Sequence, residues 1–300
     1  MSRVDFPSMR LKMIVNPTAG RGRAHSHMHQ ALRMLLDRGA EVDVAESRNR
    51  EELIRFGAEA SSDGHDRVVI CGGDGTIHLA IREMDLAATD VAIIPLGSGD
   101  DFSKRSGVPM KLEEACDAVV HGEVHEIDVA LANGIRYLGV AGFGFDSEVT
   151  RFANEEVKWL RGPLIYLWSI LNVLPRFRPH RLLYSADGEQ RDEEIMFTVV
   201  SNSGSYGGGI RIAPLSKLDD HLLDLCVVRR CTKWDLIRTL PLAYTGGHVR
   251  RPFVRMESGT DFRFDTDEPM AVYADGEPVG TTPLHVTLAP ERLRLVLPKR

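Results

Sequence analysis

The chain has 300 residues, 43% of them apolar and 27% charged, with 37 Lys+Arg against 43 Asp+Glu for a formal charge of −6. That is the make-up of a globular protein long enough for two domains. The acidic balance argues against wholesale nucleic-acid binding.

A first strand is expected over 11–15, running into the turn Asn16-Pro17-Thr18-Ala19-Gly20. A helix over 24–38 follows, with Ala31, Leu32, Leu35 and Leu36 expected on its inner face and Gly39 ending it. Strand 41–45 and helix 51–61 come next. Val68-Val69-Ile70-Cys71 is an unbroken apolar run, suited to a strand buried on both faces of a parallel sheet. It enters Gly72-Gly73-Asp74-Gly75-Thr76, after which a helix is expected over 77–84. Strand 91–95 opens into Leu96-Gly97-Ser98-Gly99-Asp100-Asp101-Phe102, and helix 112–121 precedes strand 126–128. This alternation predicts a doubly wound parallel α/β domain over 1–128.

Beyond 128 the rhythm changes. Strands are expected over 129–132, 137–140, 181–186, 195–201, 222–228, 254–257, 262–265, 270–274, 285–288 and 293–297. Helices interrupt them only over 148–174 and 233–245. Alternating apolar and polar residues, as at Leu293, Leu295 and Leu297, suit antiparallel pairing. The expectation is a β-sandwich over 129–290. Cys71, Cys116, Cys226 and Cys231 form no Cys-x-x-Cys pair and read as buried free thiols of a reducing compartment. No signal peptide is expected, and the uncharged run 162–175 falls short of the roughly 20 residues that span a bilayer, so the chain is expected to be cytoplasmic.

The chemistry gathers in the turns. Glycines at 72, 73 and 75 let backbone N–H groups crowd round an anion, and the following helix aims its positive end at the same spot. Asp74 stands where it can manage a metal or water beside a phosphate. The Gly97 turn adds backbone donors, a hydroxyl and two carboxylates, which can line a triphosphate or else cap the next helix. In such sheets ligands collect outside the carboxyl ends of the strands, where the Asn16, Gly72 and Gly97 turns all fall. Further on, Asp275-Gly276 reads as a tight turn, and Glu277 beside it can accept the proton of an attacking hydroxyl. The acidic stretch 218–224 reads either as a solvated turn or as a cation site.

These pieces, in this order, resemble the diacylglycerol kinase catalytic-domain family of lipid kinases, which includes sphingosine and ceramide kinases. The likeness rests on 16–20, 72–76, 96–102, 142–144, 218–224 and 275–278, and covers nearly the whole chain. It implies an ATP-binding α/β domain joined to a β-sandwich, an active site in the cleft between them, and a C-terminal segment, about 291–300, returning to the first domain. It further implies that Asn16, Gly72, Gly73, Asp74, Gly75, Thr76 and Ser98 surround the nucleotide phosphates, and that Asp74 and Asp101 join a water network around a catalytic Mg²⁺. Glu277 is implied as the general base. A structural Mg²⁺ is implied on the Asp220 carboxylate and the Lys217 and Leu222 carbonyls. Three positions depart from the pattern: Ser98 for threonine, Asp100 for asparagine, and His221 for glycine.

The stretch 158–181 carries Lys158, Arg161, Arg176, Arg178 and Arg181, with Trp159, Trp168 and leucines interleaved and no acidic residue. It suits an anionic membrane surface, or else a helix packed on the sandwich with basic ends in water. His25, His27 and His29 point in different directions on a helix and read as a solvated face. The sequence therefore predicts a Mg²⁺- and ATP-dependent lipid kinase acting on a diacylglycerol-like or sphingoid lipid, peripheral at the inner membrane surface, with a homodimer left open. The alternatives are an NAD kinase-type enzyme and a non-catalytic nucleotide-binding membrane sensor.

Overall fold

The computed structural model describes residues 8–19, 23–157 and 163–299. The chain divides into two compact units. One runs to Ile127 and resumes at Glu291; the other is Asp128–Pro290.

The first unit holds β1 (Arg10–Val15), β2 (Glu41–Glu46), β3 (Arg67–Gly72), β4 (Asp90–Pro95), β5 (Glu123–Ile127) and β17 (Leu293–Leu297). Its helices are α1 (Arg23–Asp37), α2 (Arg50–Ala60), α3 (Asp74–Ile81), α4 (Asp101–Ser106) and α5 (Leu112–His121). The sheet order is β2-β1-β3-β4-β17-β5. The strands from β2 to β17 are parallel, whereas β5 runs antiparallel to β17, so the sheet is mixed rather than wholly parallel. Val68, Val69, Ile70 and Cys71 are all buried, as a central strand covered on both faces requires. On α1 the inner stripe is Met28, Ala31 and Leu35; Leu36, expected inside, is 49% exposed because it lies about 100° further round the helix. Two other expectations shift. Helix α3 begins at Asp74 rather than 77, and the short helix α4 was not expected at all. Arg67 fastens α5 to the sheet by donating to the carbonyls of Val119 at 2.6 Å and Gly122 at 3.0 Å, so a cation meets the negative helix end.

The second unit contains β6 (Ala130–Ala132), β7 (Ile135–Tyr137), β8 (Val140–Gly144), β9 (His180–Ala186), β10 (Glu189–Ser201) and β11 (Leu223–Arg229). It continues with β12 (Val254–Gly259), β13 (Asp261–Thr266), β14 (Ala271–Ala274), β15 (Glu277–Thr281) and β16 (Leu284–Leu288), and adds helices α6 (Phe145–Glu155), α7 (Pro163–Val173) and α8 (Lys233–Ala243). Pairing is antiparallel along β15-β14-β8-β10-β9-β13-β16-β6-β7, with β12 on β11 and β11 on β10. The long strand β10 changes company along its length. Its first half pairs β9, and past an irregularity between Ile195 and Phe197 it pairs β8 and β11.

Strand β11 shows how the core is built. Leu223, Leu225 and Val227 enter one apolar cluster with Phe143, Phe262 and Phe264, while Cys226 and Val228 enter a second with Phe145, Leu174 and Ala243. Both faces of the strand are therefore buried, with a period of two. Several expected elements change. The expected strand 137–140 is split between β7 and β8. Gly142-Phe143-Gly144 closes β8, which ends at Gly144 where α6 begins, and the expected helix 148–174 is two helices. Strand β15 was not expected, and Glu277 is its first residue. All four cysteines are free, with Cys231 half-buried and the others buried. Among the described residues no helix is long and apolar enough to cross a membrane.

Candidate active site

In the first unit the three turns expected at the strand ends meet. Asn16 follows β1, and its Nδ2 donates to Thr76 Oγ1 at 3.2 Å. Gly72 ends β3, Gly73 caps α3 in extended backbone, and Asp74, Gly75 and Thr76 form the first turn of that helix. The Gly97 turn lies directly against this one. A Cβ on Gly97 would sit 2.6 Å from Gly73 Cα, and one on Gly73 would sit 2.9 Å from Gly97 Cα. Only two glycines let these backbones approach so closely. Ser98 is exposed on the turn, and Asp101 is buried in the first turn of α4.

Asp74 ties the two turns together. Its Oδ2 accepts the Asp101 N–H and its Oδ1 the Phe102 N–H, each at 3.1 Å. Burial lifts its carboxyl to about 6, helped by the charges of Asp101 and Asp100 and opposed by those two N–H bonds. Asp100 takes a left-handed backbone conformation, φ 50°, which aspartate and asparagine tolerate better than most residues. It makes no side-chain cap on α4; its Oδ1 instead accepts the Gly97 N–H at 3.0 Å and closes the turn. Burial raises its carboxyl too, and Lys104, whose Nζ donates to the Gly99 carbonyl, opposes the rise. The extra charge at this position thus has a basic neighbour.

A hydrated divalent cation suits this chemistry. A Cβ at Gly99 would lie 3.5 Å from Asp74 Oδ2 and 3.6 Å from Asp101 Oδ2, so a half-buried and a buried carboxylate border one spot beside this glycine. Their mutual repulsion is what a cation relieves. Among the described residues no group of three or more His, Cys, Asp or Glu side chains is placed to grip a bare metal, so such an ion would be held through water.

In the second unit, Asp275 and Gly276 have φ of 51° and 84°, the signature of a two-residue hairpin turn, and join Ala274 of β14 to Glu277 of β15. The Asp275 side chain does more than turn the chain. It accepts the backbone N–H groups of Leu138 at 2.9 Å, Gly139 at 2.9 Å and Val140 at 3.0 Å. Asn154 of α6 donates to the Gly276 carbonyl at 3.1 Å. Half-buried Glu277 therefore stands on a turn anchored from two sides.

Lys217, Asp220 and Leu222 lie in an exposed loop ahead of β11. Asp220 Oδ1 accepts the Leu222 N–H at 3.2 Å. At His221 the backbone is left-handed, φ 60°, the conformation that glycine favours. Its strain is offset by buried Asp128, whose Oδ2 accepts the His221 N–H at 2.7 Å and whose Oδ1 is 3.4 Å from His221 Nδ1. One carboxylate and neighbouring carbonyls remain as a donor set that suits a hard cation completed by water.

An apolar pocket with a cavity of about 90 Å³, partly open to solvent, lies under α6, α7 and α8, lined by Phe145, Val149, Leu174, Ile212, Val228 and Leu236 among others. Ile170 of α7 and Leu174 just past its end turn to this pocket, while Leu164, Leu167, Trp168 and Leu171 are 57%, 45%, 41% and 51% exposed. Spacings of three and four put those exposed residues on one outward stripe. Lys158, Trp159 and Arg161 lie outside the described residues; Arg176 and Arg178 are exposed, and Arg181 is paired with Asp192 at 2.6 Å.

Some side chains that shape these sites escaped the sequence. Asp275 reads locally as an ordinary Asp-Gly turn, and its partners are more than 130 residues away. Asp146, whose Oδ1 accepts the Tyr206 hydroxyl, is lifted by burial to about 6 with that bond opposing. Its one signal is its place directly after the Gly-Phe-Gly-Phe run.

Known proteins share this arrangement. The profile of the diacylglycerol kinase catalytic domain matches residues 10–132, and that of the YegS C-terminal NAD kinase beta sandwich-like domain matches 139–297. The diacylglycerol kinase of Mycobacterium tuberculosis (strain H37Rv) is 32% identical over 295 residues, covering 95% of this chain and 94% of its own length. That of Bacillus subtilis (strain 168) is 28% identical over 295 residues, 97% of each chain. Crystal structures from Bacillus anthracis share the fold, one named as a diacylglycerol kinase at TM-score 0.74 and 21% identity and another at 0.80 and 24%, each over 98% of both chains. With two matching domain profiles and such relatives along almost its full length, the chain belongs to the diacylglycerol kinase family of lipid kinases.

Proposed function

We propose that this protein transfers the γ-phosphate of ATP to a hydroxyl of a diacylglycerol-like or sphingoid lipid, in a Mg²⁺-dependent reaction at a membrane surface. The observation that carries the reading is helix α6, which lines an apolar pocket with Phe145 and Val149 and holds the Glu277 turn with Asn154. An alcohol with a long hydrocarbon tail suits that helix: tail in the pocket, hydroxyl at the carboxylate.

In this mechanism the N–H groups of 72–76 and the positive end of α3 receive the phosphates. Asn16 steadies the Thr76 hydroxyl, and Ser98 adds a second hydroxyl from the neighbouring turn. Asp74 and Asp101 would hold the water shell of Mg²⁺, which when bound would supply charge neutralisation to the transferring phosphoryl group. Glu277 accepts the alcohol proton as the alcohol oxygen bonds to phosphorus and the bond to ADP breaks. Asp220 with the Lys217 and Leu222 carbonyls is the proposed seat of a structural Mg²⁺. The outward stripe of α7, with Arg176 and Arg178 beyond its end, lies against anionic lipid.

Mixed lipid vesicles with γ-labelled ATP test the reading. Label entering the organic phase is the expected result. Label appearing on NAD would favour an NAD kinase instead, and nucleotide binding without turnover would leave a sensor.

A further inference from the structure

The pocket beneath α6, α7 and α8 is apolar but not uniformly so. Asp146, Tyr206, Thr239 and His248 also border it. Thr239 and His248 are 7% and 2% exposed, and their Oγ1 and Nδ1 atoms are buried without a hydrogen-bond partner among the described residues. Buried polar atoms of that kind are rare, because desolvation without a bond is costly.

The surroundings explain why the protein itself leaves them open. His248 Nε2 lies 3.0 Å from the Ile212 carbonyl, which only accepts, so Nε2 carries the proton and Nδ1 of the neutral ring is an acceptor. Burial pushes the His248 pKa down and keeps the ring neutral. Thr239 sits within α8, where a threonine hydroxyl ordinarily bonds back to the carbonyl four residues earlier; here that bond is not made. Nδ1 therefore wants a donor, and Oγ1 takes either role. A plain hydrocarbon chain supplies neither, whereas a hydroxyl supplies both.

The location separates this feature from the reacting hydroxyl. Asp146, at the pocket, and Asn154, at the Glu277 turn, are eight residues apart on α6, roughly 12 Å along its axis. We propose that the pocket selects a lipid whose hydrocarbon chain carries a hydroxyl remote from the phosphorylated one, recognised by Thr239 and His248, a proposal that rests on the lipid-kinase reading of this unit.

Two readouts test it on the full-length protein. The first compares kcat/KM, in mixed vesicles, for diacylglycerol with mid-chain-hydroxylated acyl groups and for its unsubstituted counterpart. The second measures calorimetric binding of the corresponding free fatty acids, with no ATP present. The wild type is expected to prefer the hydroxylated form about tenfold in both. Thr239→Val should bring both ratios close to one, and Thr239→Ser, which keeps the hydroxyl, should retain them. Equal phosphorylation and equal binding of the two forms by the wild type, or an undiminished preference in Thr239→Val, would overturn the proposal; water would then satisfy these atoms. Selective binding of the hydroxylated acid with no lipid phosphorylated would sustain the pocket assignment while removing the kinase reading.

Discussion

Asp74 holds the start of α4 through Phe102: the Phe102 N–H donates to Asp74 Oδ1 at 3.1 Å, while Asp101 donates its own N–H to Oδ2. One carboxylate thereby sets the spacing of two glycine turns. It does so in its ionised form, although burial holds its carboxyl at about 6 instead of the ordinary 3.8. That conflict gives a pH dependence with a definite sign.

A raised carboxyl contributes stability that is complete below its unfolded pKa and is lost as pH rises through the folded value. The protein without Mg²⁺ should lose stability between about pH 4 and 6 from Asp74, with Asp146, also near 6, acting in the same window. Mg²⁺-dependent nucleotide binding should run the other way, weakening by about tenfold per pH unit below 6 as Asp74 takes up a proton. Thermal unfolding across pH 4 to 7 checks the first, and titration calorimetry of nucleotide binding across pH 5 to 8 checks the second. An affinity that stays flat across that range would remove Asp74 from the cation site.

The Gly73–Gly97 approach leaves no room for a methyl group, since a Cβ on Gly97 would come within 2.6 Å of the Gly73 Cα. Gly97→Ala should force the turns apart, cost about 1–3 kcal/mol in urea unfolding, and lower kcat/KM by about 100-fold through misplaced phosphates. Gly107→Ala is the control, because nothing lies within 4 Å of its added Cβ and only its φ of 86° is strained.

Asp275 and Glu277 should separate by readout. Asp275→Ala strips the acceptor from three backbone N–H groups and should destabilise the protein by about 3 kcal/mol. Glu277→Gln should leave thermal unfolding and ATP binding near wild type while kcat falls by about 10²–10⁴. Full activity in Glu277→Gln would exclude it as the base.

The outward stripe of α7 predicts where vesicles touch. Replacing Leu167 or Leu171 by serine removes one exposed leucine and should weaken partition to anionic vesicles by about tenfold each. Sedimentation with vesicles at low and high salt measures this. Unchanged partition in the double variant would assign the membrane contact to another surface.

What the sequence determined by itself was local and periodic. Val68 to Cys71 had to be a strand buried on both faces because four consecutive apolar side chains alternate across a sheet. Glycines at 72, 73 and 97 marked backbone turns, and an added Cβ at each would come within 3.0 Å of a neighbouring atom. Leu36 shows the limit even within a helix, since a run of leucines does not say which of two neighbours faces in. Tertiary structure alone decided the rest: that Asp275 serves Leu138, Gly139 and Val140, that β17 lies between β4 and β5, and that Thr239 and His248 border one pocket. Those partners are far apart along the chain, and a hydrogen bond between distant residues leaves no trace in the spacing of either one's neighbours.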